Sequence, residues 1–354
     1  MKRLVLVGGG YGGMRILQKL FAQDLPKDVS ITLVDRNPYH SLKTEYYALA
    51  AGTASDHHIR VQFPTHPNLE VKYGEITELD LNENVIHLKD DESIPYDSLV
   101  IGLGCEDKYH NVPGAKEHTM SIQTIDSSRR TYEVLNNLGA RSVVGIVGGG
   151  LSGVELASEL HESRPDLEIK LFDRGKTILS AFPDRLGNYV QTWFEDRDVT
   201  VVSESNITMV EPNTLYNHGD PVHCDAIVWT AGIQPNQLVR DLDVEKDGQQ
   251  RIILDEHHKI PDHSNVFVVG DCASLPYSPS AQLAEEQAEQ IALVLQKEWK
   301  QEALPKLPPI KVKGTLGSLG SKHGFGVMAN RPLTGRVPRL LKSGILWMYK
   351  NHNG

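Results

Sequence analysis

Leu4-Val5-Leu6-Val7-Gly8-Gly9-Gly10-Tyr11-Gly12-Gly13 decides the fold. A short apolar run stops at a glycine cluster, and a helical spacing follows through Leu17 and Leu20. The same phrase returns 140 residues later. Val143 to Val147 leads into Gly148-Gly149-Gly150-Leu151-Ser152-Gly153, followed by Leu156 and Leu160. Each copy is trailed by a second strand that ends in an acid: Ile31 to Asp35-Arg36, and Ile169 to Asp173-Arg174. The acids stand 22 and 20 residues beyond the third glycine of their motifs.

Each position has a physical reason. The first glycine (Gly8, Gly148) permits the tight strand-to-helix turn, and the second (Gly10, Gly150) lets backbone approach a pyrophosphate. The third (Gly13, Gly153) lets helix and strand pack closely, while the helix start offers free N–H groups and positive dipole to the anion. The acid accepts hydrogen bonds from ribose hydroxyls. One G-x-G-x-x-G is weak evidence. Two copies, each with strand, helix and spaced acid, point to two dinucleotide cradles on one chain. Asp173 repels a 2′-phosphate, which favours NADH over NADPH at the second cradle, with Arg174 beside it softening the choice.

Composition narrows the remaining classes. Of 354 residues, 40% are apolar and 23% charged, as in a soluble globular protein. No apolar run approaches the roughly 18 residues of a spanning helix, and the N-terminus lacks a signal-peptide core. Cys105, Cys224 and Cys272 form no C-x-x-C, and the pairs His57-His58 and His257-His258 lack a helical ligand spacing, so no metal site is expected. Neither G-x-S-x-G nor G-x-x-x-x-G-K-[ST] occurs. The net charge of −10 is uneven: residues 306–354 carry nine Lys or Arg and no acid, leaving the rest at −19. Val337 to Lys350 mixes Leu340, Leu341, Ile345, Leu346, Trp347 and Met348 with Arg339, Lys342 and Lys350. Such a segment suits a membrane interface, or a helix docked on its own core. No nucleic-acid motif accompanies the basic residues.

Four further segments extend the pattern. Asn265 to Val269 reads as a buried strand ending at Gly270-Asp271, and a helix begins near Ser280 as N-cap. Ser98 to Ile101 and Asp225 to Val228, the latter followed by Thr230-Ala231-Gly232, read as strands where the chain crosses between domains.

The chain resembles the flavoproteins with two dinucleotide-binding domains, and within them the type II NADH:quinone oxidoreductases. The narrower motifs are Tyr39-His40 with Ala50-Ala51-Gly52, Gly153-Val154-Glu155, and Ala281-Gln282-Leu283-Ala284-Glu285-Glu286-Gln287. The resemblance implies an α/β fold with two Rossmann-like domains. The FAD domain would be discontinuous (1–108 and 240–313), the NAD(H) domain inserted at 109–239, and a basic segment would occupy 314–354. FAD would be held by Gly8, Gly10, Gly13, Asp35, Arg36, Thr44, Asp271 and Ala281, and NAD by Gly148, Gly150, Gly153, Asp173 and Gly232. Glu155 and Gln282 would be the catalytic residues, near the flavin and at the quinone pocket. Glu286 stands where the family has Gln.

The implied chemistry is hydride transfer from NADH to FAD, then two electrons to a quinone of menaquinone type, without proton pumping. The implied place is cytoplasmic, peripherally on the inner face of the cell membrane through residues 336–350. A homodimer is left open. So are a protein acceptor such as ferredoxin, another small acceptor, and a slow-turnover redox sensor or partner-binding role. A sulfide-oxidising variant would need Cys105 and Cys272 to converge at the flavin.

Overall fold

The computed structural model describes residues 2–353, with side chains through Asn351. The chain divides into two compact units. The first comprises Met1–Ser41, Val61–Glu106 and Gln234–Val312; the second comprises Leu42–Arg60, Asp107–Ile233 and Lys313–Gly354.

A six-stranded sheet organises the first unit, in the order Lys259–Ile260, His263–Val268, Ser98–Ile101, Lys2–Val7, Val29–Asp35, Leu69–Tyr73. All neighbours run parallel except the first pair. The Leu4–Val7 run is wholly buried because parallel strands are covered on both faces. Its side chains alternate between them. Leu4 and Leu6 pack with Ile16, Leu17 and Leu20 of the helix Tyr11–Phe21 and with Ala288, Ile291 and Leu295 of the helix Ala281–Trp299. Val5 and Val7 pack with Leu79, Ile86 and Ile94 of a small antiparallel sheet (Ile76–Asp80, Val85–Leu88, Ser93–Pro95). Burying one such Leu contributes about 2 kcal/mol.

The second unit repeats the plan with four parallel strands, ordered Thr200–Val202, Glu168–Phe172, Val143–Val147, Ala226–Trp229. Val144 and Ile146 join Leu156 and Leu160 of the helix Leu151–Ser163, whereas Val147 packs with Ile227 and Trp229 on the opposite face. Residues 314–335, expected only as a basic segment, form a three-stranded antiparallel sheet: Gly314–Leu319, His323–Met328, Arg331–Gly335. The C-terminal helix Arg336–Asn353 lies against that sheet. No helix of the described residues is long and apolar enough to cross a membrane.

Candidate functional site

The two glycine turns are the same construction. Gly8 N donates to Val34 O at 2.9 Å, and Gly148 N to Phe172 O at 2.8 Å. Both glycines sit at positive φ, +102° and +110°, where an L side chain is strained. A Cβ on Gly8 would lie 2.3 Å from Gly102 O, and one on Gly148 2.7 Å from the Thr230 carbonyl carbon. The third glycines are as tight or tighter: a Cβ on Gly13 would meet Gly8 O at 2.3 Å, and on Gly153 would meet Gly148 O at 1.9 Å.

The middle glycines differ. Gly10 and Gly150 are the N-caps of their helices, and a Cβ on either would find nothing within 4 Å. Nothing in the protein's own packing requires glycine there. Space beside a helix start, with its free N–H groups, is what a pyrophosphate needs. The cradles therefore fit dinucleotides.

The acids are fixed from both sides. Asp35 Oδ2 accepts from Gly9 N at 2.7 Å and Oδ1 from Asn37 N at 2.8 Å. Asp173 Oδ2 accepts from Gly149 N at 2.7 Å and Oδ1 from Gly175 N at 2.7 Å. Each carboxylate thereby ties the second strand to the glycine turn and keeps lone pairs for a ribose. Burial raises the Asp35 pKa against those donors. Arg36 and Arg174 beside them are exposed. His40 Nδ1 lies 2.9 Å from Gly9 O; burial lowers its pKa to about 4, so the ring is neutral at pH 7.

The other expected residues fall to both units. In the first, Asp271 lies on the short 3-10 turn Gly270–Cys272, entered through Gly270 at φ +77°. Ala281 and Gln282 open the Ala281–Trp299 helix, whose N-cap Ser280 accepts from Leu283 N at 3.1 Å. In the second, Gly232 takes φ +133° after Thr230, whose hydroxyl donates to Val147 O at 2.9 Å. Thr44 is exposed on the short turn Lys43–Glu45, outside the unit that carries the first cradle.

Glu155 is buried, and its surroundings were not expected. Lys342 Nζ from the C-terminal helix donates to Glu155 Oε1 and, at 2.7 Å, to the Tyr47 hydroxyl, and lies 3.8 Å from Glu45 Oε1. Ser318 N donates to Glu155 Oε1 at 2.8 Å. Burial lifts Glu155 to about 7 against the pull of Lys342, and it raises the Tyr47 pKa as well. Burial works against the Lys342 ammonium, but Glu155, Tyr47 and Glu45 outweigh it and raise its pKa. Two more acids share this helix face: Glu159, 4.0 Å from Arg339, and Glu162, which accepts from Ser321 N at 2.7 Å. Tyr47, Glu45, Ser318 and Lys342 were missed in the sequence. The available signal was the 155, 159, 162 spacing of acids on a helix with an apolar core face.

Among the described residues no group of His, Cys, Asp or Glu could hold a metal ion. Cys272 Sγ donates to Gly104 O at 3.2 Å, and burial pushes its pKa up.

Residues 2–289 match the family described as pyridine nucleotide-disulphide oxidoreductase. The "NADH dehydrogenase-like protein YutJ" of Bacillus subtilis (strain 168) is 66% identical over 355 residues, spanning all of both chains. The "Type II NADH:quinone oxidoreductase" of Staphylococcus haemolyticus (strain JCSC1435) is 24% identical over 97% of this chain and 94% of its own. Among solved structures, NDH2 from Plasmodium falciparum, described in complex with NADH, has a TM-score of 0.84 at 16% identity, covering 99% and 96% of the two chains. At that identity the likeness bears on the fold alone.

Proposed function

The chain belongs to the pyridine nucleotide-disulphide oxidoreductase family, and from that premise we propose that it is an FAD-dependent NADH dehydrogenase of the non-pumping, type II kind, with a quinone as acceptor. One observation carries the reading: the glycine turn and its bonded acid occur twice, with Gly10 and Gly150 both left open by the protein's own packing. The names of the relatives at 66% and 24% identity support NADH as donor and quinone as acceptor.

FAD at the first cradle, when bound, supplies the chemistry: it accepts hydride from NADH and yields two electrons to the acceptor. The chain's residues bind, orient and manage protons. Gly8, Gly10 and Gly13 with Asp35 and Arg36 would hold the adenosine diphosphate end of FAD, and Asp271 and Ala281 the flavin end. Gly148, Gly150, Gly153, Asp173 and Gly232 hold NADH. The start of the Ala281–Trp299 helix would offer positive dipole to the flavin end of the cofactor, and Gln282 on its first turn would orient the quinone. Glu155 is the acid–base residue: a carboxyl lifted to about 7 can both take and give a proton near neutral pH. The exposed apolar residues of the C-terminal helix rest on a lipid surface.

Anaerobic rapid mixing tests this. The purified protein should be yellow, bleach with NADH, and recolour with menadione. Recolouring with ferredoxin or ferricyanide alone would overturn the quinone; a colourless protein that takes up no FAD would overturn the whole reading.

A further inference from the structure

A buried carboxamide beneath the Gly270-Asp271 turn is bonded through both its oxygen and its nitrogen. Gln287 is 0% exposed, on the helix Ala281–Trp299. Its Oε1 accepts from Gly270 N at 2.9 Å, and its Nε2 donates to Val268 O at 2.9 Å. These backbone groups flank Val269, at the end of the His263–Val268 strand where the chain turns. One side chain thus pairs two backbone groups at the turn, each of which is costly to leave without a partner away from water.

The amide orientation is forced, since an N–H needs an acceptor and a carbonyl a donor. His258 takes the opposite side. Its Nε2 lies 2.7 Å from Gln290 Oε1, which can only accept, so Nε2 carries the proton. Nδ1 is then the acceptor that faces Gln287 Nε2 at 3.4 Å. Gln290 Nε2 in turn donates to Pro308 O at 2.7 Å. His258 sits at φ +67°, an uncommon conformation for a non-glycine residue, and burial lowers its pKa against the charge of Asp255. A neutral ring suits the clamp, because a second ring N–H would point at the amide's own.

We propose that Gln287 is the positioning residue of the Gly270-Asp271 turn, with His258 holding its carboxamide in register, and that through this turn it sets how tightly FAD is held. The inference rests on the reading that Asp271 belongs to the FAD site. Gln287 reaches the cofactor only through the backbone it fixes. A side chain one methylene shorter would not span to both groups, and an apolar one would orphan both.

The test compares Gln287→Leu, Gln287→Glu and Gln296→Leu with the wild type. Gln296 is a matched control: on the same helix, its Nε2 donates to Lys19 O at 3.2 Å, away from the turn. The readouts are the FAD dissociation constant, the visible flavin spectrum, and amide exchange at Gly270 in the apoprotein. Gln287→Leu should raise the dissociation constant at least tenfold, shift the flavin band, and speed Gly270 exchange at least tenfold. Gln296→Leu should stay within twofold. Gln287→Glu, if Gln287→Leu fails to fold, should bind FAD weakly at pH 8 and regain affinity on acidification, as a protonated carboxyl again donates to Val268 O. A packing role predicts no such pH profile. Wild-type affinity and spectrum in Gln287→Leu, equal weakening in Gln296→Leu, or a flat Gln287→Glu profile overturns the proposal. A wild type that binds no FAD instead fails the flavin reading and removes the affinity half; Gly270 exchange in the variants still decides the clamp.

Discussion

Gly10 and Gly13 stand three residues apart at one helix start and are glycine for different reasons. Gly13 has Gly8 O where its Cβ would go, at 2.3 Å; Gly10 has φ −73° and ψ −167°, which any residue adopts, and open space. Gly10→Ala and Gly150→Ala should therefore melt within a degree or two of the wild type yet lose about tenfold or more in affinity for FAD and NADH respectively. Gly13→Ala and Gly153→Ala should unfold at markedly lower temperature. Thermal melts beside titrations separate the two groups, and normal ligand affinity in Gly150→Ala would count against a pyrophosphate at that turn. Asp173 gives a second comparison. Its carboxylate bridges Gly149 N and Gly175 N, so Asp173→Ala should weaken NADH binding and shrink the preference over NADPH. Discrimination equal to the wild type would remove Asp173 from the ribose site.

Elements built from local pattern were legible, and those held by distant partners were not. The cradles announce themselves because strand run, glycine turn, helix and acid all lie within about forty residues, each constrained by its neighbours. The helix at Ala281 was legible through its N-cap. The 314–335 sheet was not: its strands are short and rich in glycine, and a Cβ on Gly326 would fall 2.2 Å from Thr315 O, so pairing rather than propensity defines them. Nor was the pair Glu155–Lys342, 187 residues apart in sequence, since composition placed Lys342 in a basic segment suited to a membrane interface or to docking on the core, with no partner named for it. Burial makes that pair strongly conditional. Lys342→Met should cost about 3–5 kcal/mol in urea unfolding, because it strands a buried carboxylate, and adding Glu155→Gln should recover part of the loss. The pH dependence follows the raised acid. Between the ordinary 4.5 and about 7 the folded chain keeps a proton that the unfolded chain releases. The Glu155 contribution is thus fully present below 4.5 and fades as pH rises through 7. Glu155→Gln should flatten stability across that window, and an unchanged slope would show that Glu155 does not titrate there.

At the scale of the whole chain the dominant feature is the separation of charge, nine basic residues and no acid after Leu304–Pro305 against −19 elsewhere. The C-terminal helix faces two ways. Lys342 is buried in its own unit, with 13% of its side chain exposed, while Leu340 is 70% and Trp347 66% exposed, along with Val337, Ile345 and Met348. A docked helix with a bare apolar stripe beside basic residues has the make-up of an interfacial segment. Deleting it would also remove the Lys342 anchor, so a deletion confuses lost lipid contact with lost folding. Leu340→Ser with Trp347→Ser avoids this, as neither side chain supports the core. The double variant should melt like the wild type, since exposed substitutions usually change stability by less than about 0.5 kcal/mol. It should nonetheless sediment with anionic liposomes at least tenfold more weakly, since each large apolar side chain removed from water is worth about 1.5–3 kcal/mol. Added salt should weaken the wild type further, because the basic residues act on anionic headgroups over a screening length of about 8–10 Å. Equal sedimentation of variant and wild type would take the lipid surface out of the functional reading while leaving the two cradles as they are.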